Sequence, residues 1–184
     1  MVSVSSSHRT AVFDALCACL NLNPNSREAI ALIHEAYAEP ENVPRPPRNR
    51  NVIYWTLSQD YGSDPVSTAC NAEGSGRFHT PVVYTTLKYQ LIIVCYGPAC
   101  EEYAQRIRSL FYLDGAGFPR KILRGAGIYP IPDPPQPVVL HEEEGSLWRK
   151  RADLTIFLRV RDEQEGQERS SITTAPAVII KKGN

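Results

Sequence analysis

The chain has 184 residues, with twenty basic and twenty acidic side chains and a formal net charge of zero. That length fits one domain, which at this size buries roughly 70% of its unfolded surface and needs no disulfide or metal staple. Balanced charge excludes a global pull towards nucleic acid or an anionic membrane, and no apolar run approaches the ~20 residues that span a bilayer.

The first residues, MVSVSSSHRT, lack the apolar centre of a secretory signal. Five cysteines, an odd count, read as free thiols of a reducing cytoplasm. Thr10 is placed to cap a short helix, AVFDALCACL. Ser26 caps a second that reaches about Ala38, so helices are expected over residues 10–38. Residues 40–50 carry four prolines, which remove backbone donors and hold a linker extended. NVIYWTLS, residues 51–58, reads as a strand. The polar, Gly-containing stretch 60–80 reads as a long loop, or as an arm that orders against a partner.

A longer strand is expected from Val83 to Tyr96, with Leu87, Tyr89, Leu91, Ile93 and Cys95 on one face. Helix 98–113 follows, with Pro98 in its first turn, Glu101 and Glu102 near its positive end, and Gly115 and Gly117 past its exit. GIYPI, residues 127–131, is a short strand, DPPQP a rigid turn, and His141–Gly145 an acidic loop. LWRKRADLTIFLRVRDE then alternates almost without error. Even positions carry Ala152, Leu154, Ile156, Leu158 and Val160; odd ones carry Arg151, Asp153, Thr155, Arg159 and Arg161, with Phe157 the exception. That is a strand with one buried and one wet, charged face. Tract 162–169 reads as a solvated turn before a last strand at Ala177–Ile180. The order predicts a single α+β domain over residues 1–184: a largely antiparallel or mixed sheet with helices packed on one face.

Chemistry-bearing motifs are weak. Cys17 and Cys19, two apart on a helix, point in different directions and cannot chelate as a pair; buried small residues is the better reading. Cys95 and Cys100 have no matching second pair. Gly115-Ala-Gly117 and Gly125-Ala-Gly127 sit in no strand–turn–helix context, so they read as turns. No motif joins His8, His34, His79 or His141 to a nucleophile. Glu142–Glu144 reads first as solvated charge, and second as a metal site. No catalytic, cofactor-binding or metal-binding residue is assigned. Arg45, Arg48 and Arg50 form one basic cluster, and Arg149, Lys150 and Arg151 another; solubilising charge, ion pairing, and pairing across a protein interface all fit them.

Three segments, in order, carry a resemblance: PRPPRNRNVIYWTL, then KYQLIIVCYGPACEEYAQRIRSLF, then GIYPI followed by LWRKRADLTIFLRVRDE. Together they resemble the bacteriophage neck and tail terminator proteins, over roughly residues 44–180. The family pattern falls on Ala104, Arg106, Arg108 and Leu110 of the helix and on Trp148, Arg151, Ala152, Asp153 and Leu154 of the strand. The resemblance implies a non-enzymatic virion protein at the head–tail junction, made in the host cytoplasm, with no cofactor. It implies a homo-oligomeric ring, commonly a hexamer, that caps the tail tube and offers a docking surface to the head connector. Its partners would be the tail tube and sheath, the connector, and DNA passing non-specifically through the lumen, with no membrane. Candidate interface residues are then Arg149, Arg151, Asp153, Arg159, Arg161, Arg45, Arg48 and Arg50. A head-completion or stopper protein is the neighbouring alternative. A metal-dependent nuclease using Glu142–Glu144 is the alternative of a different class.

Overall fold

A computed structural model describes residues 5–36, 49–60, 66–73, 78–112, 118–144, 147–165 and 169–170. The first helix, α1, spans Ser6–Cys19 and starts earlier than expected, because Ser5 rather than Thr10 occupies the N-cap. Thr10 instead lies within the helix, its hydroxyl donating to the Ser6 carbonyl at 3.1 Å. Asn21 ends α1 in the left-handed region at φ 57°. Around it, Asn21 N–H donates to Ala18 and Leu22 N–H to Cys17, a Schellman closure that occupies two orphan carbonyls.

The expected second helix is shorter: α2 covers only Arg27–Leu32. Ile33–Glu35 leave it as strand β1, parallel to Ile53–Trp55. Pairing with a neighbouring strand overrides the helical spacing of the sequence there. The proline-rich linker falls largely outside the described residues.

Strand β2, Val52–Gln59, runs antiparallel to β4, Phe78–Tyr96, in register Val52↔Tyr96 to Gln59↔Tyr89. The described residues of the stretch read as a loop or arm are mostly strand. Val66–Glu73 form β3, which continues along the same edge of β4 from Thr86 to Thr80, with a register shift between Thr68 and Asn71. Helix α3, Cys100–Tyr112, buries Cys100, Ala104, Ile107 and Phe111 at helical spacing. A helix that the sequence reading missed, α4, covers Phe118–Gly125 and buries Leu123. Strand β5 is Ile128–Pro130.

The acidic loop is also a strand: β6, Val138–Glu144, forms a hairpin with β7, Leu147–Glu165. Opposite charges face each other across it at Glu142 and Arg149. The tract read as a solvated turn belongs in part to β7, which keeps pairing with β4 out to Glu165↔Val82. Arg169–Ser170 form β8 against the start of β4; Ala177–Ile180 lie outside the described residues.

The result is an α+β domain with sheet order β1-β2-β4-β7-β5, β3 on β4 and β6 on β7. One core joins α1, α3 and α4 to one face of the sheet. Ala152, Leu154, Ile156 and Leu158 of β7 are fully buried there and Val160 is 1% exposed, as the alternation predicts. Each of the larger three contributes about 1.5–3 kcal/mol by leaving water. Tyr89, Leu91, Ile93 and Cys95 of β4 and Ile53, Trp55 and Leu57 of β2 complete that face.

Candidate interaction surface

The opposite face of the sheet carries the odd residues of β7 and the even residues of β2 and β4. Register brings them into rows: Asp153 beside Val94, then Tyr54, then His34; Thr155 beside Ile92, then Thr56; Arg159 beside Lys88. The described side chains of these rows are half-buried, except Arg159, which is exposed. Apolar and charged groups therefore share one broad surface.

A polar network occupies one end of it. The Tyr96 hydroxyl donates to Glu142 Oε2 at 3.1 Å, and Arg151 donates to the same oxygen at 3.2 Å and to Asp153 Oδ2 at 2.9 Å. The Arg149 guanidinium lies 4.5 Å over the Tyr96 ring, a cation–π stack on a residue only 7% exposed. Tyr96 in turn meets Tyr54 edge-on at 6.1 Å, and Tyr54 meets His34 at 5.8 Å. Burial raises the Tyr96 pKa, and the hydrogen bond to Glu142 adds to the rise. Burial works against the charge of Arg151, but Asp153, Tyr96 and Glu142 outweigh it, and its pKa is raised.

At the other end, Lys88 bonds Asp60 at 2.9 Å and sits 4.4 Å over the Phe157 ring. Phe157 is 37% exposed and neighbouring Tyr129 43%. Phe157 breaks the alternation in mid-strand and leaves an open aromatic on this face rather than in the core.

The sequence-proposed interface residues divide into groups. Arg151 and Asp153 come together as an ion pair, and Arg149 is a buried member of the same network, so these three organise the surface from within. Arg159 is exposed on the open face, and Arg50 is exposed beside α3. The Arg161 side chain, Arg45 and Arg48 lie outside the described residues. Phe157, Tyr129 and Tyr96 were not among the proposed interface residues; the break in alternation at Phe157 was the available signal for the first. As for metal chemistry, Glu142 is held by Tyr96 and Arg151, and Glu143 is on the other face of β6 because adjacent strand residues point apart. Among the described residues, no group of three or more acidic, histidine or cysteine side chains converges on a possible ion.

The sequence matches the phage neck terminator protein family over residues 9–184. The chain belongs to this family. No curated protein matches it. It is accordingly a structural protein of the phage neck, a virion component at the head–tail junction that contacts other head or tail proteins.

The family-pattern residues acquire physical roles in this neck terminator. Ala104 is fully buried where α3 packs. Arg108 Nε donates to the Pro135 carbonyl at 2.7 Å and ties the DPPQP segment to α3. Ala152 and Leu154 face the core, while Arg151 and Asp153 alternate with them to form the ion pair.

Proposed function

We propose that this chain is the subunit of a homo-oligomeric ring, most simply of six copies, that seats on the last ring of the tail tube. It stops tube elongation there and offers its opposite rim to the head connector, with DNA passing through the lumen. The observation that carries this reading is the broad open sheet face, with its internally organised charges and its exposed Phe157 and Tyr129, in a chain of the neck terminator family. Rings close by heterologous contacts, and these need two different surfaces on each subunit, which a one-sided sheet domain supplies. A net charge of zero suits a lumen that must let DNA pass, since many phosphate contacts would grip it. The role is non-enzymatic: it is geometric.

Deleting the gene should give tails of uncontrolled length and unjoined heads. Imaging of wild-type virions should place a ring containing this chain at the head–tail junction. Its absence from purified particles would overturn the assignment.

A further inference from the structure

The tip of the β6–β7 hairpin carries Trp148, the most exposed large apolar side chain among the described residues at 68%. In register it stands directly opposite Glu143, itself exposed, on the helix-side face of the hairpin. The pairs Leu140↔Arg151 and Tyr96↔Arg151 put this tip beyond the end of the sheet that holds Val52, Tyr96 and Arg50. An open indole beside a carboxylate fits proline-rich, arginine-bearing chains: the ring stacks on proline and the carboxylate pairs with arginine.

The chain contains that ligand. Residues 44–50 read PRPPRNR. The described residues of this stretch, Asn49 and Arg50, lead directly into β2 at its Val52 end, on the side of the sheet where β1 pairs with β2. The β6–β7 hairpin is on the opposite edge, three strand spacings from β2, at roughly 4.8 Å each. The described end of the ligand segment, Asn49 and Arg50, and the hairpin tip thus lie at the same end of the sheet but toward opposite edges, a placement that suits head-to-tail closure of a ring.

We propose that the Pro/Arg-rich segment 44–50 of one subunit docks on the Trp148–Glu143 hairpin tip of the next, an inference that rests on the ring reading above. An arginine of the segment, Arg45 or Arg48, meets Glu143, and a proline covers Trp148.

Two measurements on the full-length chain test this. The Arg45→Glu/Arg48→Glu variant is titrated into a dye-labelled synthetic peptide of residues 41–50 while the peptide's fluorescence anisotropy is followed. Saturable binding is expected, and Trp148→Ala or Glu143→Arg, added to that variant, should weaken it at least about tenfold. No binding, or binding indifferent to Trp148, overturns the docking. Sedimentation then fixes whose segment docks: the Trp148→Ala and Arg45→Glu/Arg48→Glu chains, each weakened alone, should associate when mixed, because each retains the half that the other lacks. If the peptide binds but mixing restores nothing, the segment docks within its own chain and the proposal fails. The peptide result stands even where the wild-type chain stays monomeric in solution, and the ring itself is judged from virions, so the two readings fail separately.

Discussion

Arg151 shows how a charged residue on an open strand face can be structural. It bridges Glu142 and Asp153, and its Nε, like Asp153 Oδ1, is closed to solvent without a hydrogen-bond partner among the described residues. Removing either partner strands a desolvated charge, whereas the pair itself, about a quarter exposed on each side chain, is screened. Arg151→Ala and Asp153→Ala should each cost about 1–2 kcal/mol in urea unfolding, and the double variant less than their sum; strict additivity would show that the pair is not coupled. The thiols give a second expectation. Burial pushes Cys17 up to about 11 and Cys19 and Cys95 up to about 12, from the ordinary thiol value of 9.0. Raised folded values mean that the unfolded chain sheds these protons first. Stability is therefore intact below about pH 9 and falls as pH rises from there through 11–12. Chemical denaturation between pH 8 and 11 should show that decline, with Cys17→Ala/Cys95→Ala flattening it.

At the scale of elements, the sequence was legible wherever one periodicity ran long enough. Strands β2, β4 and β7 and helix α3 declared themselves because one face of each meets the core. What stayed hidden was set by partners. Charged HEEE becomes strand only because basic β7 lies alongside it. Ile33–Glu35 leave their helix only because β2 offers an edge. Eight-residue α4, with a proline in its first turn, is too short to display a stripe. The junction before α3 depends on tertiary contact as well: Asn51 Oδ1 accepts from Ala99 N–H at 2.9 Å, capping α3 from a distant segment. Gly97 makes room for it at φ +104°, and a Cβ there would meet the Arg50 carbonyl oxygen and Asn51 Oδ1 at 2.6 Å. Backbone strain and collision both oppose a side chain, so Gly97→Ala should lose about 2–3 kcal/mol and Asn51→Ala about 1 kcal/mol, read as lowered melting temperatures. The arm formed by β3 and the start of β4 we assign to assembly. Replacing residues 64–78 by a short turn should leave the monomer folded by circular dichroism but impair tail joining; normal infectious particles from that deletion would refute the assignment.

On the scale of the whole molecule, a single sheet separates two tasks. Its helix-side face carries the stability and its open face is the one we propose for assembly, so substitutions two or three residues apart on β7 should have unlike consequences. Ile156→Asp places an unpaired carboxylate in the core, where it costs several kcal/mol, a large part of the total stability of a domain this size. That variant should be recovered unfolded or insoluble. Arg159→Glu changes an exposed side chain on the other face and should move stability by no more than about 0.5 kcal/mol. Combined with Arg161→Glu, which shares its strand parity, it reverses charge at the same place on every subunit. Isolated surface pairs are worth about 0–1 kcal/mol, but a ring repeats the mismatch at each interface and penalises closure as a whole. The double variant should therefore melt like the parent while yielding free heads and overlong tails in a complementation assay. Normal virions at ordinary salt would show that this face is plain solvated sheet, and the ring contacts would then have to lie along the edges of the domain alone.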